Sequence, residues 1–306
     1  MERVYYKQLI EGAAIPAIIH NSSYFLIQMA VYENGTVSCW HKSDLQQFRS
    51  DLEKGWVVPS VPVDTELSIN NLGCFPIREA RWLYNREEYY HRVEEVVRSL
   101  NPEMTNLYRM AQWEKDKWEK ARVRWTADPT PCKLKPGWCY TLIDGDSGYI
   151  FYRQQGRLHL TSLTAYADKT VRLGLVSDRS YTMEEIEGLF VQKILSTSPE
   201  GEEWVEIDGL GNVLLAPPEY GALPVEEKQK EINDTMAGLS GEKDSLDRCK
   251  RAHYQYLTDP NDWTREELRK AYEAVPEHQR MFLGDMDTRD SDFIRILYSP
   301  GVKREV

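Results

Sequence analysis

The sequence lacks the short motifs that mark the common enzyme classes. It contains no G-x-S-x-G, no phosphate-binding loop, no G-x-G-x-x-G and no H-E-x-x-H. The two glycines of Gly209-Leu-Gly211 lie between predicted strands, so they do not form a dinucleotide-binding turn. These absences weaken an assignment to the hydrolases, nucleotidases, kinases or dehydrogenases. The sequence therefore favours a non-catalytic role, and it predicts no cofactor.

Targeting signals and paired cysteines are also missing. The N-terminus has no basic segment followed by an apolar run, so no signal peptide is predicted. No run approaches the roughly 18 apolar residues that a membrane span needs. The five cysteines, at positions 39, 74, 132, 139 and 249, are few and odd in number. Without a secretion signal they are interpreted as reduced thiols, and the sequence predicts a cytoplasmic protein with no membrane contact.

The chain is acidic and rich in aromatic residues. Its formal net charge of −11 argues against broad binding to nucleic acids or anionic membranes, and it fits a basic partner. The 9 Trp and 18 Tyr residues can supply the large anchors that protein interfaces use. We therefore expect a protein partner, whose identity the sequence does not give. The oligomeric state also stays open.

Strand and helix patterns divide the chain into five segments and predict an α+β fold. The fold is expected to contain two small antiparallel β-rich modules joined by a helical connector, plus a helical C-terminal region. The modules cover residues 1–84 and 138–216, and the connector covers residues 85–125. A Pro-rich linker follows at residues 126–137. Residues 217–306 form the helical C-terminal region, in which residues 280–283 and 293–298 are expected to make a small hairpin.

Turn and capping residues locate individual elements. Asn34-Gly35 predicts a hairpin turn, because both residues readily take a positive φ. Capping boxes that begin at Ser43, Thr182 and Thr264 predict the starts of three helices. Asp144-Gly-Asp-Ser-Gly148 has the composition of a loop and predicts a hairpin between two strands.

The connector is predicted as two helices, because Pro102 would remove a hydrogen bond from one continuous helix. The first covers residues 86–99, and the second begins with Asn101 as its N-cap. Its tryptophans are the candidate binding residues of the chain. These are Trp113, Trp118 and Trp125.

The tryptophans differ in their expected exposure. Trp118 and Trp125 lie on the apolar stripe of the predicted helix, whereas Trp113 lies off it. Residues 109–124 contain six basic and three acidic residues, a mixture that, with aromatics, can bind nucleic acid. Because the whole chain is acidic, an amphipathic packing helix is the favoured interpretation and nucleic acid is not expected.

An acidic cluster near the C-terminus supports the alternative function. Its aspartates are Asp285, Asp287, Asp290 and Asp292. Hard cations such as Mg²⁺ bind several carboxylate oxygens, so this cluster could hold the metal of a metal-dependent hydrolase. A loop of ordinary composition explains the same residues, and no known metal motif matches.

Two further segments carry weaker metal-binding patterns. Asp144-Gly-Asp-Ser-Gly148 resembles the start of a calcium loop, but Gln155 stands where a bidentate Glu is needed. Cys39-Trp-His41 would place a thiol and an imidazole on one face of a strand. That pair could join a zinc site or act as a Cys–His nucleophile, although the paired spacings of zinc sites are missing.

Several motifs resemble uncharacterised cytosolic proteins of bacteria. They are Pro136-Gly-Trp-Cys-Tyr, Leu173-Gly-Leu-Val-Ser-Asp-Arg, Ala271-Tyr-Glu-Ala-Val-Pro-Glu-His and Gly284-Asp-Met-Asp. The resemblance implies no activity and transfers no functional residue. Some such proteins accompany toxin–immunity or phage-defence loci. The leading hypothesis is a non-catalytic interaction protein in immunity or defence.

Overall fold

The computed structural model describes residues 10–114, 132–134, 142–218, 222–284 and 289–302. The α+β class predicted from the sequence is confirmed. The chain divides into two compact units. Unit 1 comprises Met1–Pro129, Tyr149–Thr161 and Ser198–Ala222, and unit 2 comprises Thr130–Gly148, Ser162–Thr197 and Leu223–Val306.

The described elements are fifteen strands, seven α-helices and one 3₁₀ helix. The strands are β1 Gly12–Asn21, β2 Ser23–Tyr32, β3 Val37–Cys39, β4 His41–Ser43, β5 Val57–Val58, β6 Glu66–Ile69, β7 Gly73–Trp82, β8 Cys132–Leu134, β9 Leu142–Gln154, β10 Arg157–Tyr166, β11 Val171–Leu173, β12 Val176–Tyr181, β13 Leu195–Ser196, β14 Glu203–Ile207 and β15 Gly211–Leu215. The helices are α1 Leu45–Glu53, α2 Arg86–Leu100, α3 Met183–Val191, α4 Val225–Leu239, α5 Ser245–Thr258, α6 Asp262–Ala274 and α7 Ser291–Tyr298, with the 3₁₀ helix at Glu277–Phe282. Among the described helices, none has the length and apolar character that crossing a membrane requires.

Unit 1 is built on a mixed sheet. β1 and β2 form an antiparallel hairpin, β2 pairs in parallel with β6, and β6 pairs antiparallel with β7. β7 then pairs antiparallel with β15, and β15 pairs antiparallel with β14. The buried side chains Ile18, Leu67, Phe75 and Val213 come from β1, β6, β7 and β15 and form part of the core. Strands that are far apart in the sequence therefore share this sheet.

Helix α2 covers this sheet and begins as predicted. The Asn85 side chain accepts hydrogen bonds from the backbone N–H groups of Glu87 and Glu88, which completes a capping box. Its buried residues Tyr89, Val93 and Val97 recur every four positions, so one helical face enters the core. The Tyr89 hydroxyl donates to the Pro16 carbonyl at 2.7 Å. The first connector helix is therefore confirmed.

The prediction that a second connector helix begins at Asn101 is wrong for the described residues 101–111. Met104 and Asn106 have φ values of 50° and 52°, outside the helical region. The Asn101 side-chain amide donates to the Glu33 carbonyl, and the Met110 N–H donates to the Asp44 carboxylate at 2.7 Å. These tertiary hydrogen bonds replace the helical ones that the apolar spacing had suggested. In the described part of the predicted helix, residues 112–114 are helical.

The turn predicted at Asn34-Gly35 is confirmed, with Gly35 at φ 74°. The start of α1 is shifted by one residue from the prediction. Asp44, rather than Ser43, caps α1, because its carboxylate accepts from the Gln47 N–H at 2.7 Å. The box at Thr182 caps α3 as expected.

The loop predicted at residues 144–148 is also wrong, because these residues lie within the continuous strand β9. Asp144 pairs with Cys132 of β8, and its carbonyl accepts from the Ala167 N–H at 2.9 Å. The Ser147 and Thr164 hydroxyls are 2.6 Å apart. Hydrogen bonds on both sides of the strand therefore hold a sequence whose composition is typical of a turn.

The prediction of a small C-terminal hairpin is also wrong. Glu277–Phe282 is a 3₁₀ helix and Ser291–Tyr298 is the helix α7. Phe293, Ile296 and Leu297 are buried at helical spacing, so α7 gains its stability from one packed face. The short apolar run had allowed either a strand or a helix, and packing decides between them.

Candidate functional site

The C-terminal helices of unit 2 enclose a hydrophobic core of their own. The core residues of α5, of α6 and of α7 are spaced three or four positions apart or are adjacent within each helix. Each helix therefore presents one face to the core. The buried members of this core are Cys249, Ala252, Leu268, Tyr272, Val275, Leu283, Phe293, Ile296 and Leu297. Every one of them lies beyond residue 244, so this part of unit 2 is organised around a local core.

A tight turn joins α5 to α6. Asn261 caps α6 by accepting from the Thr264 N–H at 2.9 Å, and Asn261 N–H donates in return to the Thr264 hydroxyl at 3.1 Å. The Thr264 hydroxyl also donates to the Asp259 carbonyl at 2.7 Å. The capping box predicted to begin at Thr264 is therefore wrong in position, because Thr264 is the third helical residue. These hydrogen bonds fix the turn between the two helices.

This part of unit 2 carries a concentration of exposed apolar side chains. Eight of the thirteen large hydrophobic side chains that are exposed among the described residues lie beyond residue 244, a segment that makes up about a fifth of the chain. They are Tyr254, Leu257, Trp263, Met281, Phe282, Ile294, Tyr298 and Val302. Scattered apolar residues are normal on a protein surface, but a concentration of this kind is typical of an interaction site.

Three of these side chains lie beside the α5–α6 turn. Tyr254 is 71% exposed, Leu257 is 57% exposed and Trp263 is 70% exposed. Tyr254 and Leu257 are three positions apart on α5 and share a face, and Trp263 follows the turn in the first turn of α6. We refer to Tyr254, Leu257 and Trp263 as the hairpin-tip patch.

The side chains next to the patch on α5 are basic. Lys250 lies four positions before Tyr254 on the same helical face, and Arg251 is its neighbour. Both are exposed, and neither makes an ion pair with another described residue. Asp262, which precedes Trp263, is also exposed, so charges of both signs flank the patch.

The aspartates of the predicted metal loop are divided by the structure. Asp285 and Asp287 lie outside the described residues. Asp290 accepts a hydrogen bond from the Tyr272 hydroxyl at 2.8 Å. Asp292 accepts from the Arg295 guanidinium at 3.0 and 3.2 Å, so both described carboxylates already bind protein groups. No group of three or more metal-binding side chains occurs among the residues that the structure describes.

Burial of the Tyr272 ring, together with the hydrogen bond to Asp290, raises the pKa of Tyr272 to about 12. The imidazole of His253 packs on Phe293 with ring centroids 4.2 Å apart and an interplanar angle of 31°, and its Nε2 lies 3.9 Å from Asp292. These contacts link α5, α6 and the start of α7. The polar groups of this region thus have a structural role in holding the helices together.

The tryptophans named in the sequence analysis are only partly placed. Trp113 is 65% exposed, as its position off the apolar stripe predicted. Trp118 and Trp125 lie outside the described residues. The three tryptophans therefore stay candidate binding residues, as the sequence predicted.

The Cys39–His41 pair lies in the core of unit 1. Trp40, with φ 55°, forms the turn between β3 and β4, and Cys39 and His41 are cross-strand partners rather than residues on one strand. Burial raises the pKa of the Cys39 thiol well above its ordinary value, which disfavours the nucleophilic thiolate. His41 Nε2 lies 3.0 Å from the Asp51 carboxylate. The pair therefore has the environment of a structural cluster.

Sequence reasoning missed the hairpin-tip patch. The available signal was the pair Tyr254 and Leu257 on the polar side of α5, where an amphipathic helix ordinarily carries charged residues. The tight turn that places Trp263 beside them could not be read from the pattern, because it depends on Asn261 acting as the cap.

Comparison with known families assigns the chain to two models. A domain of unknown function, DUF7638, matches residues 1–104 and 138–243, and a second one, DUF7639, matches residues 244–305. The second match coincides with the helices that share the local core. No curated protein and no solved structure matches the chain. The chain therefore belongs to the DUF7638 family and carries a C-terminal DUF7639 segment, in agreement with the resemblance to uncharacterised proteins.

Proposed function

We propose that the protein is a non-catalytic binding protein and that the hairpin-tip patch of its DUF7639 segment docks a partner protein. The observation that carries this proposal is the exposure of Tyr254, Leu257 and Trp263 beside one hydrogen-bonded turn. Each of these side chains leaves more than half of its surface in water, where its apolar area gains nothing.

Side chains of this kind are well suited to anchor an interface. Tyr and Trp contribute large apolar areas, and a Tyr hydroxyl or an indole N–H can still bond to the partner. Hot spots of protein interfaces are enriched in the same two residue types. The bonds of Thr264 to Asn261 and Asp259 hold the turn, which lowers the entropy lost on binding.

The charges beside the patch indicate the chemistry of the partner. Lys250 and Arg251 would attract carboxylates at the rim of an apolar surface. The net charge of −11 favours a basic partner at long range, but the groups in contact decide the specificity. We therefore infer a partner surface that is apolar at its centre and places carboxylates opposite Lys250 and Arg251.

The biological setting that we propose is immunity or defence in the cytoplasm, and it rests on the resemblance of the sequence motifs alone. Metal-dependent hydrolysis at the acidic loop is the weaker proposal. Its described carboxylates, Asp290 and Asp292, are already occupied by Tyr272 and Arg295. Displacing these partners would leave the Arg295 charge without its carboxylate.

Affinity capture from the native host tests the proposal. The baits are the wild type, the double variant Tyr254→Ser/Trp263→Ser and the control Val191→Ser, which removes an 84% exposed apolar side chain from α3. The proposal expects a stoichiometric partner with the wild type and the control, and none with the double variant. Equal recovery with all three baits would contradict it. Stoichiometric Mg²⁺ or Mn²⁺ in the preparation, without a partner, would favour the hydrolase.

A further inference from the structure

Unit 1 contains a groove that the proposed function does not use. It has a volume of about 660 Å³, within the roughly 300–1,000 Å³ range of ligand-binding clefts. The turn between β1 and β2, the end of α1, residues 58–62 and the start of α2 form its walls. Its principal polar and aromatic side chains are His20, Tyr24, Lys54, Trp82, Asn85 and Arg86.

The groove is basic within an acidic chain. Lys54 and Arg86 line it together with His20, and no Asp or Glu occurs among its lining residues. The chain has 49 acidic and 38 basic residues, so a basic lining of this kind departs from its average composition. Positive side chains in a concave, partly apolar wall concentrate the electric field and attract anions.

The two acidic residues that follow Arg86 on α2 have other partners. Glu87 forms its ion pair with Arg49, and Glu88 accepts from the Asn85 N–H at 2.8 Å. Neither Lys54 nor Arg86 makes an ion pair with a described residue. Both side chains are exposed, so their charges remain available to a bound molecule.

Aromatic rings complete the lining. His20 and Tyr24 face each other across the β1–β2 hairpin and stack with centroids 4.4 Å apart and an interplanar angle of 11°. The Trp82 indole N–H donates to the Val61 carbonyl at 3.0 Å, which fixes the ring against the wall. The rings are held by these contacts before any ligand binds.

We propose that this groove binds a small anion attached to a flat ring, with a phosphate or carboxylate at Lys54 and Arg86 and the ring against Tyr24 or Trp82. The planar guanidinium of Arg86 can donate two parallel hydrogen bonds to either anion, and Lys54 adds a point charge. This site lies in unit 1 and is independent of the hairpin-tip patch.

Calorimetric titration of the full-length protein tests the site. The probes are phenyl phosphate, phenylacetate, inorganic phosphate and the uncharged benzyl alcohol. The proposal expects saturable one-to-one binding of phenyl phosphate or phenylacetate, and the tighter of the two identifies the anion. It expects inorganic phosphate and benzyl alcohol to bind at least about tenfold more weakly, because each lacks one half of the ligand.

Charge-removing variants make the test specific. Arg86→Gln and Lys54→Gln should each weaken binding about tenfold. Arg98→Gln is the matched control, because it removes the same charge from the same helix about 18 Å away. Absence of saturable binding by both ring-bearing anions would overturn the proposal. Equal binding of benzyl alcohol, or an unchanged affinity in both groove variants, would overturn it as well.

Discussion

The Lys228 ammonium lies 3.1 Å from the Glu231 carboxylate, and the Lys228 side chain is 1% exposed. The two residues are three positions apart on α4, within one helical turn. A fully buried lysine is rare, because the desolvation of its charge costs several kcal/mol. The buried Lys228 charge is therefore tolerated in unit 2 because the Glu231 carboxylate lies beside it.

We expect Glu231→Gln to destabilise the protein by about 3 kcal/mol, because it leaves the Lys228 charge buried without a carboxylate. The double variant Lys228→Met/Glu231→Leu should recover most of that loss, since apolar side chains of similar volume often replace a buried ion pair without cost. Urea denaturation checks both. Additive losses in the double variant would contradict the account.

The exposed pair of Lys270 and Glu267 on α6 supplies the control for this cycle. Its nitrogen and oxygen atoms are 2.9 Å apart, yet both side chains are largely in water. Solvent screens such a pair, so Glu267→Gln should leave the urea midpoint unchanged within error.

Gly211 in unit 1 lies at a close approach of two strands that leaves no room for a side chain. Its φ is 143°, and a Cβ built there would lie 2.4 Å from the Arg81 carbonyl oxygen of the neighbouring strand β7. Gly211→Ala should therefore separate β15 from β7 and cost about 2 kcal/mol or more. Gly201→Ala, where nothing lies within 4 Å, is the control and should not change the thermal midpoint. Equal midpoints for the two variants would contradict this expectation.

Alkaline pH should destabilise the protein partly through Tyr272. Its pKa is raised from 10.0 to about 12, so the folded state holds the proton more tightly than the unfolded state does. The contribution of this pKa difference to the free energy of unfolding is complete below pH 10, and it is lost as the pH rises from 10 through 12. The phenols of Tyr89 and Tyr149, whose pKa values burial also raises, act in the same direction.

Thermal midpoints measured between pH 8 and pH 11 test this statement. Tyr272→Phe should lower the midpoint at neutral pH, because the hydrogen bond to Asp290 is lost, and it should make the alkaline decline shallower. A decline as steep as that of the wild type would show that the Tyr272 phenol does not titrate differently on folding.

How far the fold can be predicted depends on whether local signals agree with tertiary contacts. The helices α2 and α3 carry capping boxes and apolar faces that no distant group opposes, and both were found. Residues 101–111 also have an apolar helical spacing, but the Asp44 carboxylate and the Glu33 carbonyl capture their polar groups. Neither acceptor is adjacent in sequence, so no local pattern could reveal them.

For the candidate site, too, local features could be predicted from the sequence and tertiary contacts could not. The exposure of Trp113 followed from its place off the apolar stripe. Of the acidic loop, the structure describes Asp290 and Asp292. Their bonds to Tyr272 and Arg295 could not be predicted, because they depend on α7 being a helix rather than a strand. The hairpin-tip patch and the groove each combine residues that only the folded chain brings together.

The charge of the partner can be tested separately from its apolar contact. Lys250→Glu/Arg251→Glu should weaken binding and should remove most of its dependence on salt, because rim charges act mainly through long-range attraction. The measurement is the association rate of the captured partner at two ionic strengths. An association rate that rises in this variant would indicate a basic partner, as the net charge of the whole chain suggests.

The most direct test is the dissociation constant of the captured partner for the wild type and for Tyr254→Ser/Trp263→Ser, measured by calorimetry with purified proteins. Truncation of two anchor residues should weaken binding by roughly a hundredfold or more, while the thermal midpoint stays close to that of the wild type because both side chains are exposed. An unchanged dissociation constant in a folded double variant would contradict the assignment of the hairpin-tip patch as the docking surface.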